Sequence, residues 1–135
     1  MKQSRYPRLA ADVIICMNGF PTSIVLVKRK FPPEGWAIPG GFVEYGESVE
    51  QAAVREALEE TSLHVKLLRQ FHVYSEPGRD PRGHTVTIVF VASAEGTPIA
   101  QDDAADVQIV LKDHLPFPIA FDHQTILSDY FNNRY

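Results

Sequence analysis

The chain has 135 residues, of which 44% are hydrophobic, and this length predicts one domain spanning residues 1–135 with a sizeable core. Its formal net charge of −4 gives no general electrostatic reason to expect nucleic acid or an anionic membrane as a partner, and no segment approaches the roughly 20 apolar residues of a membrane span. Cys16 is the only cysteine, which excludes an internal disulfide and a cysteine-based zinc site and favours a reducing, cytoplasmic environment.

The first part of the chain is predicted to be extended. ADVIICM and SIVLVKRK are apolar strands separated by the turn sequence NGFP, so we expect them to pair as a hairpin. The basic end of the second strand, VKRK (residues 27–30), is interpreted as a solvated edge. FPPEGW is predicted to be a loop and WAIPGGFVEYGE an extended, glycine-punctuated segment. Ser48 and Gln51 then form a capping box that should open a helix running to about Thr61.

The second part of the chain alternates strands with loops. HVKLLRQFHVYS and HTVTIVFVASA are predicted strands on either side of EPGRDPRG (residues 76–83), which we call the arginine loop. EGTPIAQDDAAD is a predicted loop and VQIVL a short strand. AFDHQTILSDYF is a closing helix with Asp122 as its cap, and His123 is expected to support local structure. Several strands with two helices favour an α/β fold, a mixed sheet with helices on its faces.

The predicted central helix concentrates glutamates. Because successive helical residues advance by about 100°, Glu56, Glu59 and Glu60 fall within an arc of about 100°, where like charges repel. Neighbouring alanines are expected to leave space for something to approach. Clustered carboxylates suit hard cations such as Mg²⁺ or Mn²⁺, although glutamate-rich exposed helices are also common.

The spacing around this helix is more specific. Gly41, Glu47 and the run from Arg55 to Leu63 resemble the Nudix box, G-x5-E-x7-R-E-U-x-E-E-x-G-U, where U is a bulky aliphatic residue. Two positions depart from the pattern. Ala57 is small for a U position, and Ser62 replaces the glycine that ends the helix in a left-handed conformation, at a cost of about 1 kcal/mol.

The resemblance implies a Nudix α/β/α sandwich with a mixed central sheet, and Mg²⁺ as the cofactor with Mn²⁺ as an alternative. It also implies metal ligands from three carboxylates and one backbone carbonyl, namely Glu56, Glu59, Glu60 and Gly40. Arg55 would hold the carboxylates in place together with Glu47. These four charged residues of the box, Arg55, Glu56, Glu59 and Glu47, are therefore the expected catalytic set.

The segments 73–90 and 115–127 resemble small ADP-ribose pyrophosphatases of the Nudix superfamily. In the arginine loop and just after it, Arg79 and Arg82 are expected to meet phosphate oxygens, Asp80 to accept from ribose hydroxyls, and His84 to donate to phosphate or sugar. A solvated surface hairpin is the alternative. An additional base or ligand is expected from Asp102 or Asp103, unless that loop is merely exposed. Four aromatic residues are candidates to stack an adenine, although strand aromatics usually belong to the core: Phe31, Trp36, Phe71 and Tyr74.

The sequence motifs leave three functions open. The first is metal-dependent hydrolysis of a nucleoside diphosphate linked to another moiety, with ADP-ribose giving AMP and ribose 5-phosphate. The second is hydrolysis of oxidised or other nucleoside triphosphates or of nucleotide sugars. The third is a non-catalytic sensor of an ADP-ribose-type ligand. The retained box carboxylates favour an enzyme, and the resemblance alone implies a homodimer.

Overall fold

The structure is a computed structural model that describes residues 6–135. Its elements occur in this order: β1 (Arg8–Met17), β2 (Ser23–Arg29), β3 (Trp36–Ala37), β4 (Gly40–Phe42), α1 (Val49–Thr61), β5 (Lys66–Tyr74), β6 (Thr85–Ala94), β7 (Ala104–Leu111) and α2 (His123–Phe131). Neither described helix is long and apolar enough to cross a membrane.

The strands form one mixed sheet around β1, as the sequence predicted. The main strand order is β3-β2-β1-β6-β5, with β4 also paired to β1 and β7 to β2. β1 and β6 run parallel over their whole length, from Arg8 opposite Thr85 to Met17 opposite Ala94. The expected β1–β2 hairpin is confirmed, since the two strands are antiparallel neighbours.

The two faces of the sheet carry separate apolar clusters. Because side chains alternate along a strand, Val13 and Ile15 of β1 pack on the α1 side, whereas Ile14 and Cys16 pack on the α2 side. Both faces are covered, so β1 is apolar almost throughout rather than alternating with polar residues. The result is the predicted α/β/α sandwich.

Local signals define α1 at both ends. The Ser48 hydroxyl accepts from the Gln51 N–H, and the Gln51 side chain accepts from the Ser48 N–H, which is the predicted capping box. Ser62 ends the helix with φ 64°, in the left-handed region, as expected for the position that a glycine usually occupies.

The alanines of α1 have a different role from the one expected. Ala52, Ala53 and Ala57 are fully buried against the sheet, where they pack with Val13 and Ile15. Their small side chains allow the helix to lie close to the sheet and do not provide space beside the carboxylates. The small residue at the U position of the box is therefore a packing feature.

Two other expectations are corrected by long-range contacts. β7 begins at Ala104 and not near Val107, because β2 extends its hydrogen-bonded pairing into the polar segment, with Lys28 opposite Asp106. Asp122 precedes α2 as predicted, but its side chain makes no capping hydrogen bond. Arg79 engages its carboxylate instead.

Candidate active site

Arg55 is the hub of the charged residues on α1. Its Nε and Nη2 donate to the two oxygens of Glu47 at 2.6 and 2.8 Å, and its Nη1 donates to Glu56 at 2.8 Å and to Glu59 at 3.3 Å. A further hydrogen bond joins Nη2 to the Phe42 carbonyl at 3.1 Å, which ties the helix to β4. The bonds from Arg55 hold the pKa of the Glu47 carboxyl at about 2. The Arg55 guanidinium therefore fixes where its carboxylate neighbours point.

Glu60 is the most perturbed carboxyl of the helix. Its side chain is buried, and its Oε1 accepts the Gly40 N–H at 2.8 Å. Burial raises the pKa of Glu60 to about 8, against the opposing effect of that hydrogen bond. The negative charges of three neighbours raise the pKa of Glu60 further: Glu56, Asp12 and Asp103. Removing a carboxylate from water among other carboxylates favours either a proton or a cation beside it.

Glu56 shares this environment. Burial raises its pKa, while the hydrogen bond and positive charge of Arg55 act in the opposite direction. The residue facing it is Gly41, where any Cβ would overlap the Glu56 carboxylate. The absence of a side chain at the box glycine is thus required for Glu56 to reach the sheet.

The donor set fits a hard divalent cation. Glu56 and Glu60 lie one helical turn apart and line the same pocket, and a cation between them would offset the cost of keeping both ionised in a buried place. Across residues 6–135, no three His, Cys, Asp or Glu side chains stand close enough together to form a complete metal site. Water and substrate phosphate would have to supply the remaining ligands, as is usual for Mg²⁺.

Glu59 occupies a different position from the other two glutamates. Its side chain is 40% exposed, and its carboxylate faces Arg55 outside the pocket lining. Its assignment as a ligand stays a prediction.

The pocket itself has a volume of about 370 Å³ and combines three kinds of side chain. Carboxylates come from α1, from Asp12 of β1 and from the loop residues Glu44, Asp80 and Asp103. Asp102, the neighbour of Asp103, does not line the pocket. The arginines and phenylalanines of the lining are Arg29, Arg79, Arg82, Phe31, Phe42 and Phe121. Such a mixture suits a ligand that carries both negative charge and flat ring surface.

Arg79 is committed to a structural contact. Its Nε and Nη2 donate to the two oxygens of Asp122 at 2.9 and 2.6 Å, and its side chain is only 4% exposed. Its remaining nitrogen, Nη1, is 3.4 Å from the Thr85 carbonyl. The bidentate grip that the sequence suggested for phosphate is thus directed at a carboxylate of the protein.

Asp80 and Arg82 are paired with each other. The Asp80 carboxylate accepts from Arg82 Nε, Nη2 and the backbone N–H at 2.9 to 3.1 Å, and its side chain is 2% exposed. Arg82 is 40% exposed, and its Nη1 donates to no group of residues 6–135. Because the Asp80 carboxylate is buried in this pairing, it offers no exposed acceptor for the expected contact with ribose hydroxyls. Arg82 is better placed than Asp80 to contact a ligand.

His84 lies outside the pocket lining, and its Nε2 is 3.0 Å from the Ser75 carbonyl.

Of the aromatic candidates, Trp36 and Phe71 are buried in the core on the α2 side, and Tyr74 packs against that core. Phe31 is 58% exposed and lines the pocket. Only Phe31 among the four is therefore placed to meet a ligand.

Several pocket residues were missed by sequence reasoning. Asp12 is buried, accepts from the Thr87 hydroxyl at 2.6 Å and lies 3.7 Å from His123 Nε2. His123 also accepts the Ile38 N–H at 3.0 Å, which is the local structural role expected of it. A signal was available for Asp12, since it is the one charged residue in the apolar strand ADVIICM.

Arg29 was missed because VKRK was interpreted as a solvated edge. Lys28 and Lys30 are exposed, but Arg29 points into the pocket. Arginines contact the two pocket rings, with Arg82 and Arg29 against Phe121, and with Arg82 and Arg8, which is not part of the lining, against Phe42. Alternation of residues along β2 sends the middle basic residue inward.

A family model of the NUDIX domain matches residues 6–130. The chain belongs to the Nudix family. It is 46% identical over 128 residues to the ADP-ribose pyrophosphatase of Methanocaldococcus jannaschii, covering 93% of this chain and 73% of that one. It is 36% identical to the putative 8-oxo-dGTP diphosphatase of Bacillus subtilis, covering 81% and 71% of the two chains.

Solved Nudix structures share the fold. The NUDIX domain of Shewanella oneidensis NrtR, crystallised with ADP ribose, superposes with a TM-score of 0.82 at 25% identity, over 98% of this chain and 91% of that one. The bifunctional NMN adenylyltransferase/ADP ribose pyrophosphatase of Francisella tularensis, solved with AMP and a manganese ion, gives a TM-score of 0.79 at 27% identity. The match covers 95% of this Nudix chain but only 42% of the bifunctional protein. The family relationship makes the protein a Nudix hydrolase.

Proposed function

We propose that this Nudix hydrolase cleaves ADP-ribose to AMP and ribose 5-phosphate, with Mg²⁺ or Mn²⁺ as its cofactor. The observation that carries the proposal is that two carboxylates, the buried Glu60 and the half-buried Glu56, line one pocket together with the guanidinium groups of Arg29 and Arg82. Carboxylates hold a cation and guanidinium groups bind phosphate oxygens. A diphosphate is a ligand that both can contact at once.

The carboxylates would hold the cation, with Arg55 keeping Glu56 in position and the Gly40 N–H keeping Glu60 in position. When bound, a divalent cation would neutralise diphosphate charge and acidify a water. The water oxygen forms a new bond to one phosphorus, and the bond from that phosphorus to the bridging oxygen breaks. The two products leave as phosphomonoesters. We assign the water's proton to Asp103, the loop acid that lines the pocket, with Asp102 as the alternative.

Substrate identity is supported by relatives of two kinds. The Methanocaldococcus protein is named for ADP-ribose, and the Shewanella domain was solved with it. The Bacillus relative is named for an oxidised nucleoside triphosphate, so this alternative must be part of any test. We further propose that the protein acts as a homodimer in the reducing cytoplasm, where the buried thiol of Cys16 would stay free.

A substrate panel tests the proposal. ADP-ribose, ATP, 8-oxo-dGTP, NAD and a nucleotide sugar are compared with Mg²⁺ and with Mn²⁺, and products are separated by chromatography. We expect the highest kcat/KM for ADP-ribose, with AMP and ribose 5-phosphate in equal amounts and no turnover in EDTA. Preference for a triphosphate with ADP-ribose untouched would reject this substrate. Tight binding of ADP-ribose without turnover would indicate a sensor.

A further inference from the structure

Two guanidinium groups share one aromatic ring in the pocket. The Arg29 guanidinium carbon lies 4.8 Å from the centre of the Phe121 ring, and that of Arg82 lies 5.0 Å from the same centre. Arg29 is the last residue of β2, and its Nε donates to the Pro33 carbonyl at 2.8 Å. Residues from three distant parts of the chain are thus gathered around Phe121.

One of these two guanidinium groups has no direct anionic partner. Arg82 is paired with Asp80 at 2.9 Å, but no carboxylate of residues 6–135 lies within 4.0 Å of the Arg29 side-chain nitrogens. Burial lowers the pKa of Arg29, and the positive charge of Arg82 lowers it further. The half-buried Arg29 and the more exposed Arg82 contact the same ring, and only Arg82 is in an ion pair, so this place favours binding of an anion from outside.

Phe121 is held in an uncommon backbone conformation. Its φ is 55°, in the left-handed region that residues other than glycine, asparagine and aspartate rarely adopt. Such strain persists where the surrounding structure requires it, and often at binding sites. The conformation places the ring against both arginines.

We propose that Arg29, together with Arg82, binds the phosphates of the substrate in the pocket that Glu56 and Glu60 line, and that Phe121 is the positioning residue for both guanidinium groups. The ligand class is a nucleoside diphosphate derivative, an identity that rests on the proposed function.

The charges of the pocket agree with these separate roles for the carboxylates, which would hold a cation, and for the arginines, which would bind phosphate. Glu60 and Asp103 are near enough to Arg29 to act on its pKa in the direction opposite to burial, so the cationic and anionic sides of the pocket lie within interaction range of each other. A diphosphate can then bridge a cation held by carboxylates and a guanidinium held by an aromatic ring.

Binding of an uncleavable ligand tests the role of Arg29 apart from turnover. The probe is ADP-ribose with a methylene group in place of the bridging oxygen, titrated calorimetrically with Mg²⁺ present, and adenosine is the probe without phosphate. Arg29→Gln removes the charge, Arg29→Lys keeps it without the planar fork, and Lys28→Gln is the matched control. Lys28 is the exposed neighbour on β2, and its substitution changes the net charge equally.

We expect Arg29→Gln to weaken binding of the methylene analogue by about tenfold or more, and Arg29→Lys to recover part of that loss. Lys28→Gln should stay within about twofold, since exposed charges contribute little. Adenosine affinity should not change in any variant. With ADP-ribose as substrate, Arg29→Gln should raise KM more than it lowers kcat. Phe121→Leu, which keeps an apolar side chain without the ring, should weaken the analogue in the same direction.

Equal affinity of Arg29→Gln and the unaltered protein for the analogue would overturn the proposal. So would an equal loss for adenosine, which would make Arg29 a base contact, and so would failure of the unaltered protein to bind the analogue. Failure of the proposed function looks different. If ADP-ribose is not cleaved but Arg29→Gln still weakens the analogue selectively, the phosphate site stands and the reaction is wrong. Circular dichroism of each variant confirms that it is folded.

Discussion

Arg79 and Asp122 form a two-bond ion pair, with Nε–Oδ2 and Nη2–Oδ1 distances of 2.9 and 2.6 Å. The pair joins the arginine loop to the residue before α2, across 43 positions of the sequence. Arg79 is almost completely buried and Asp122 is partly buried, so the two charges depend on each other for compensation. This contact holds Arg82 and Phe121, which flank it in sequence, on the same side of the pocket.

Loss of one partner of this pair should destabilise the fold. Asp122→Ala leaves a buried guanidinium without its anion, and we expect the free energy of unfolding to fall by about 2–4 kcal/mol. Urea denaturation measures the change. Asp113→Ala, at an exposed position, is the control and should stay within about 0.5 kcal/mol. Replacing both partners with apolar residues, as in Arg79→Met with Asp122→Leu, should recover part of the loss. Equal stability of the two alanine variants would contradict the account.

Ser62 should show the cost of a left-handed serine. Ser62→Gly removes the steric penalty at φ 64° but also loses the hydrogen bond from Oγ to the Ile99 carbonyl at 3.0 Å. Ser62→Ala loses the same bond and keeps the penalty. The glycine variant should therefore be more stable than the alanine variant by about 1 kcal/mol, measured by urea denaturation. Identical stabilities would show that the conformation at this position carries no strain. Ser62 lies outside the pocket, so ADP-ribose turnover should not change.

His123 should make stability depend on pH. Burial lowers its pKa from 6.5 to about 3 in the folded protein, so the folded state keeps the imidazole neutral, as acceptor for the Ile38 N–H. Above pH 6.5 this contribution is complete. As pH falls from 6.5 towards 3, His123 binds a proton in the unfolded chain but not in the folded one, so the free energy of unfolding decreases.

The matched variant is His123→Asn, which keeps an acceptor near Nδ1 and cannot titrate in this range. Between pH 7 and pH 5, the unaltered protein should lose about 2 kcal/mol more than the variant. Urea denaturation at both pH values gives the two differences. Parallel pH dependence of the two proteins would show that His123 titrates normally in the folded state.

More features of α1 than of the pocket could be predicted from the sequence, and the reason is physical. The capping box of Ser48 and Gln51, and the left-handed end at Ser62, depend on contacts within a few residues. The placement of Glu56 and Glu60 follows from helical periodicity. These features could be predicted because local hydrogen bonding and helical geometry determine them.

The pocket depends on contacts between distant segments, which periodicity does not encode. Asp122 was expected to cap α2, but Arg79 from another loop engages its carboxylate. Arg29 belongs to a basic segment that predicts a solvated strand end, but its guanidinium lies against Phe121, more than 90 positions later in the chain. In both cases a long-range partner outweighed the local preference.

The central claim is that Glu56 and Glu60 hold the cation that makes ADP-ribose hydrolysis possible. Glutamine at either position keeps the size and helix propensity of glutamate, and at position 60 it can still accept the Gly40 N–H. The most direct measurement is kcat/KM for ADP-ribose as a function of Mg²⁺ concentration, in the unaltered protein and in Glu56→Gln, Glu60→Gln and Glu47→Gln. We predict a loss of about three orders of magnitude for the first two variants with unchanged or slightly higher stability. Glu47→Gln should lose about 10- to 100-fold, because Glu47 acts through Arg55. Near-normal Mg²⁺-dependent turnover in both Glu56→Gln and Glu60→Gln would contradict the account.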